Sequence, residues 1–178
     1  MKRQVHQSVE WNRIIPNSIT EEDLLLPELL THDHLYQQGL VFTIDIEGRD
    51  HREQCYQAWL RNRFGRTTKI EGIERLNKKL WDFCNTIVNG PMRSSSPFSC
   101  HLFWANEDDP SFPDHTDPDG VFLYVVKGRK TMVVDGTIYN LEKDQTLYIP
   151  PGTKHHAVNY NASVMLSIGF DNFLVEKF

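Results

Sequence analysis

Apolar residues recur at three- and four-residue steps through Ile73, Leu76, Leu80, Phe83, Cys84 and Ile87. That spacing marks one face of a helix, and Gly90 followed by Pro91 supplies its stop. A second helix is predicted over about 51–64, where Cys55 with Trp59, Tyr56 with Leu60 and Leu60 with Phe64 form i, i+4 pairs. Val41, Phe42, Ile44 and Ile46 suggest a strand, and Thr20 followed by Asp23 suggests a capped short helix.

The pattern changes near Asn89-Gly90-Pro91, where helical spacing gives way to short β-branched and aromatic runs broken by Gly, Pro and Asp. Strands are predicted at about 98–105, 121–127, 130–135, 137–141, 146–149, 155–159 and 163–169. Asp135-Gly136 between two such runs is the two-residue signal of a type I′ hairpin. Many short strands at even spacing argue for a sandwich, jelly roll or barrel. The expectation is a single domain over 1–178, with a helix-rich support over 1–91 and a β core over 92–178.

Composition narrows the class. The chain has 178 residues, 39% hydrophobic and 24% charged, ordinary values for a soluble globular protein. No apolar run approaches the ~20 residues needed to span a bilayer, and the N-terminus has no apolar stretch behind its basic residues. A cytoplasmic, membrane-free setting is therefore expected. Cys55, Cys84 and Cys100 are odd in number and widely spaced, so they read as reduced core residues rather than a disulfide or zinc framework. The net charge of -5 does not favour bulk nucleic-acid binding.

Candidate chemistry begins at Pro113-Asp114-His115-Thr116-Asp117. His115 and Asp117 are two apart, so in extended backbone they project from one face. Imidazole with carboxylate suits Fe(II), Mn, Co or Zn. Some forty residues later, Pro150, Gly152, His155 and Asn159 form a Pro-x-Gly-x-x-His-x-x-x-Asn segment, whose tight turn aims the histidine inward. His156, the next residue, points to the opposite face and reads as solvated or hydrogen-bonded.

The Pro150–Asn159 segment resembles the second motif of the cupin superfamily, and His115 to Phe170 resembles the Jumonji-C (cupin-8-like) oxygenases that use Fe(II) and 2-oxoglutarate. The resemblance rests on the His-x-Asp pair, on Val121–Lys130 ending in Gly-x-Lys, and on Leu147–Gly152 followed by Leu166-Ser167-Ile168-Gly169. It implies a mainly β, double-stranded β-helix (jelly roll, cupin) fold with N-terminal helices packed outside. It also implies His115, Asp117 and His155 as ligands to Fe(II), with Lys130 pairing the distal carboxylate of 2-oxoglutarate. Phe112 would pack on that cosubstrate and Ser167 would line its pocket. Where many members carry a polar residue on the strand after His-x-Asp, this chain has Val121, Leu123 and Val125.

The other conspicuous residues read structurally: His101 as a satisfied core histidine, Trp104 and Tyr124 as core or wall. Glu107, Asp108, Asp109, Asp114 and Asp119 surround the motif, an acidic loop that would favour a cationic amino acid or a peptide or protein substrate if it lines the mouth. Arg61, Arg63, Arg66 and Lys69 with Phe64 form a basic segment read as solvated surface, with nucleic acid the less favoured partner. The leading function is an oxygenase hydroxylating an unactivated C–H bond. Two other readings fit the same residues: a metal cupin enzyme acting on a small acid without 2-oxoglutarate, and a ligand-binding cupin without turnover. Edge strands leave a homodimer open.

Overall fold

The computed structural model describes residues 18–90 and 97–170 of the chain. Pro91 and the N-terminal segment judged for a signal lie outside the described residues. Thr20 opens α1 (Glu21–Leu24) through a reciprocal cap with Asp23, as the sequence predicts. A 3₁₀ turn at Glu28–Thr31 leads into α2 (Asp33–Gln37). β1 (Val41–Ile44) is wholly buried and pairs with β2 (Asp50–Arg52), while Ile46 falls in the exposed turn between them.

α3 (Tyr56–Asn62) is shorter than predicted because residues 50–52 are used as an edge strand. β3 (Thr67–Ile70) runs through the segment read as basic surface. α4 (Lys78–Asn89) starts later than Ile73, which instead lies in a 3₁₀ turn; the Asn77 side chain caps it by accepting from the Leu80 N–H at 2.8 Å. Its predicted face holds: Leu80, Phe83, Cys84 and Ile87 are all buried.

The C-terminal strands follow the predicted sequence: β4 (Phe98–Ala105), β5 (Gly120–Val134), β6 (Thr137–Glu142), β7 (Thr146–Ile149), β8 (His155–Val158) and β9 (Ser163–Phe170). The two strands expected at 121–127 and 130–135 are one long β5. Its first half pairs with β7 and β9, and its second half with β6 and β8. Gly128 makes this change of partner possible. It sits at φ 74°, and a Cβ there would lie 2.0 Å from the Ala162 carbonyl oxygen. The β5–β6 turn has φ 47° at Asp135 and 77° at Gly136, as a type I′ hairpin requires.

The mainly β architecture with N-terminal helices matches expectation, but the double-stranded β-helix does not. The strand path β2-β1-β3-β4-β9-β5-β6 is open, with β7 and β8 each joined to β5, so the sheet does not close into a barrel. Its ends remain separate edges: β2 is three exposed residues and β6 is mostly exposed. Short polar edges of this kind tolerate solvent without pairing to each other.

The β4-β9-β5 sheet is buried on both faces. One face carries Leu102, Phe122, Tyr124, Leu166 and Ile168 and packs against the helices, Phe83 and Leu80 among them. The other carries Val121, Leu123, Val125 and Met165, which pack with Met132, Leu141, Leu147 and Ile149. The candidate site lies on this second face. Among the described residues no helix is long and apolar enough to cross a membrane.

Candidate metal centre

Backbone pairing brings the two motif segments together. His115 and His155 form an isolated antiparallel bridge, and the Gly152 N–H donates to the Asp117 carbonyl at 2.8 Å. The Pro150–Gly152 turn therefore fixes where both His155 and Asp117 stand. His115, Asp117 and His155 each offer one potential ligand atom, and these atoms all lie within 4.8 Å of one another. Asp117 Oδ2 is 3.9 Å from His115 Nε2 and 3.4 Å from His155 Nε2. The imidazole centroids are 4.4 Å apart.

The second ring nitrogens decide the chemistry. His115 Nδ1 lies 2.8 Å from the Pro113 carbonyl oxygen, and His155 Nδ1 lies 2.9 Å from that of Thr153. A carbonyl can only accept, so each Nδ1 must donate, and in the neutral ring the lone pair is then on Nε2. Both lone pairs are thus directed to the Asp117 side, the outer-shell arrangement typical of ligating histidines. Two imidazoles and a carboxylate form a facial set that leaves positions open and is characteristic of non-haem Fe(II) sites.

These residues open onto a cavity of about 580 Å³. Register explains its walls: Lys69 pairs with Phe103, Phe103 with Met165, His101 with Ser167 and Leu123 with Ser167, so one face of β3, β4, β9 and β5 points inward. Lys130, Met132 and Ala157 supply the facing wall, and Phe112 stands at 6.1 Å from the His115 ring. Every site residue read from the sequence, His115, Asp117, His155, Lys130, Phe112 and Ser167, therefore meets in one cavity.

Lys130 is 1% exposed. Its Nζ donates to Asn159 Oδ1, its one hydrogen bond among the described residues. Burial pushes its pKa down to about 8, with Asp109 opposing that shift. Asn159 holds the opposite end too: its Nδ2 donates to the Asp109 carbonyl at 2.9 Å and to Thr67 Oγ1 at 3.2 Å. The motif identifies Asn159, but its part in seating Lys130 and the 106–110 loop comes only from the structure.

Lys69 is not the solvated lysine the sequence suggests. It is buried, paired with Asp50 at 2.6 Å and Glu71 at 2.9 Å, and 5.5 Å from the Phe112 ring. The β-branched neighbours Thr67, Thr68 and Ile70 were the available signal. His101 lines the cavity, and burial lowers its pKa, keeping it neutral at pH 7. His156 does face away and bonds the Asp114 carboxylate, which Lys154 also pairs at 3.1 Å. The acidic loop is partly structural: Asp109 is buried and accepts from Asn106, while Asp119 lines the cavity. Cys84 and Cys100 are buried thiols as expected, whereas Cys55 is exposed.

The site and its sheet define a mainly β protein with a two-histidine, one-carboxylate cluster that could hold a metal ion. The Cupin domain family matches residues 105–169. The structure is similar to that of YcfD, a ribosomal oxygenase from Escherichia coli, in complex with cobalt and succinic acid: TM-score 0.66, 15% identity, covering 92% of this chain and 47% of that one. The YcfD complex with cobalt and 2-oxoglutarate gives TM-score 0.65 and 15% identity, covering 92% and 48%. The chain thus spans about half the length of these YcfD chains, and the likeness is one of fold. No curated protein matches the sequence.

Proposed function

We propose that this protein is an Fe(II)- and 2-oxoglutarate-dependent oxygenase with His115, Asp117 and His155 as the metal ligands. The observation that carries this reading is the tautomer of the two imidazoles, each committed through Nδ1–H to a backbone carbonyl with Nε2 left toward Asp117. Bound iron and 2-oxoglutarate would supply the oxidising power for hydroxylating an unactivated C–H bond. Lys130 anchors the distal carboxylate of the cosubstrate. A buried ammonium with a single neutral partner is relieved by an anion, and a buried anion needs such a cation.

Phe112 packs against the cosubstrate beside His115, and Ser167 offers a hydroxyl from the floor. Val121, Leu123 and Met165 keep the pocket apolar, which excludes water from the reacting centre. The substrate class is an amino acid or a residue of a peptide or protein. Residues 1–178 act as one domain, since β1–β3 of the N-terminal part continue the same sheet as the C-terminal strands. The likeness to YcfD bound to cobalt and 2-oxoglutarate supports this reading.

The apolar side chains of Val121 and Leu123 favour a second reading, in which a small acid substrate, not 2-oxoglutarate, takes the Lys130 ammonium. Anaerobic titration of the Fe(II)-loaded protein with 2-oxoglutarate separates the two. A weak visible charge-transfer band that is absent in His155→Ala supports the oxygenase. Bound iron without such a band transfers the site to the small-acid enzyme.

A further inference from the structure

A second groove lies behind the metal cavity, across the β3–β4 ladder. Thr68 pairs with Trp104 and Lys69 with Phe103. Lys69 and Phe103 face the metal cavity, while Thr68 and Trp104 face the groove, because successive residues of a strand point to opposite sides. The groove encloses about 440 Å³, and Trp59, Arg63, Phe64 and Arg66 complete its walls.

Its cations are unspent. The Arg63 guanidinium packs over Trp59 and Phe64, its Cζ 4.9 and 5.2 Å from their ring centroids. Its Nε is nevertheless buried with no hydrogen-bond partner among the described residues, a donor that is costly to leave unmade. Arg66 reaches only the Thr43 hydroxyl, at 3.4 Å, and neither arginine has an ion-pair partner among the described residues. Lys69, Lys79, Lys127 and Arg129, by contrast, each have a carboxylate partner. Two guanidinium groups without a carboxylate partner among the described residues, in a chain of net charge -5, make a local anion site, which the whole-chain charge conceals.

The aromatic walls specify the anion further. Phe64 is 74% exposed, beside Trp104 and the Arg63 guanidinium. A flat exposed ring next to unpaired arginines suits a ligand that is both planar and phosphorylated, since bases stack on aromatic faces while phosphates take the guanidinium forks. We propose that this groove binds single-stranded nucleic acid, with one phosphate on Arg63, a neighbouring phosphate on Arg66 and an unpaired base on Phe64. The site is independent of the metal reading, because it lies on the other side of the sheet.

The test is fluorescence anisotropy of a short fluorescein-labelled oligoadenylate RNA titrated with the full chain over a range of salt. Wild type should bind saturably, with log K falling against log salt at a slope of about −1.4 for two phosphate contacts on a single strand. Phe64→Ala should weaken binding about 5- to 100-fold. Arg66→Gln should weaken it and reduce the slope by about 0.7. A duplex of the same sequence should compete poorly, because its bases are already stacked. Melting temperature and Fe(II) binding of Phe64→Ala should match wild type, which separates lost stacking from lost folding. Absence of saturable binding at low salt overturns the proposal. So does an unchanged affinity in Phe64→Ala, or equally effective displacement by inorganic phosphate or by a phosphopeptide.

Discussion

His115 and His155 exchange both backbone hydrogen bonds, His115 N–H to the His155 carbonyl at 3.1 Å and His155 N–H to the His115 carbonyl at 2.9 Å. Forty residues apart in sequence, they stand directly opposite across one antiparallel bridge. Their rings are placed by the backbone alone, so the proposed ligand set is preorganised and would not have to be assembled by an ion.

Removing His155 should therefore abolish tight metal binding without unfolding the chain, because the bridge uses main-chain atoms. His155→Ala is expected to lower Fe(II) affinity by more than about 100-fold, beyond the 10–100-fold typical of outer-shell partners. Anaerobic calorimetry measures this directly; an affinity within tenfold of wild type would remove His155 from the ligand set.

On the proposed assignment of Lys130 as anchor, 2-oxoglutarate binding has a basic limb. With its pKa pushed down to about 8, the ammonium is largely charged below that pH and lost above it. Affinity for 2-oxoglutarate should be flat below about pH 8 and then fall about tenfold per pH unit. Titration of the charge-transfer band at several pH values reads this, and a flat profile to pH 10 would exclude Lys130 as the anchor.

The same burial has a stability consequence of opposite sense. The folded pKa of about 8 lies below the ordinary 10.5, so between these values the unfolded chain holds more protons and stability of the metal-free protein rises with pH. The full difference corresponds to about 3 kcal/mol. Lys130→Met should flatten that rise in urea unfolding while leaving stability at pH 7 equal to or above wild type. A large loss at pH 7 would instead make the ammonium a structural group.

Asn159 accepts from Lys130 and donates to Thr67 of β3 and to the Asp109 carbonyl, so it links Lys130 to β3 and to the 106–110 loop. Asn159→Ala leaves the buried Thr67 and Lys130 groups and the Asp109 carbonyl without that partner. A destabilisation of about 2–3 kcal/mol is expected in urea unfolding, together with weaker 2-oxoglutarate binding. Unchanged stability would mean that water replaces the amide.

Gly128 should not tolerate a side chain. At φ 74° and with a Cβ 2.0 Å from the Ala162 carbonyl, Gly128→Ala must push β5 and the β9 approach apart, at a cost of about 3 kcal/mol or more. The altered β5 would carry Lys130 with it, so thermal unfolding and 2-oxoglutarate binding should both suffer.

Patterns local to the chain account for the secondary structure and for the choice of candidate site residues. The 3.6-residue spacing of Leu80, Phe83 and Ile87, the Asp135-Gly136 turn and the strand runs after residue 97 depend on neighbours in the chain, so they were legible. His115, Asp117 and His155 were legible because a strand alternates faces and because the Pro150–Gly152 turn gives His155 a fixed direction. Tertiary structure decided what depends on partners distant in sequence. Whether the sheet closes depends on hydrogen bonds between its outermost strands, and β2 and β6 do not make them. Lys69 reads as a surface lysine until Asp50 and Glu71 are brought beside it, and Arg63 and Arg66 read as solvated charge until Trp104 of β4 completes their groove. Burial and pairing of charge belong to the assembled sheet, since desolvation and Coulomb attraction act through space, not along the chain.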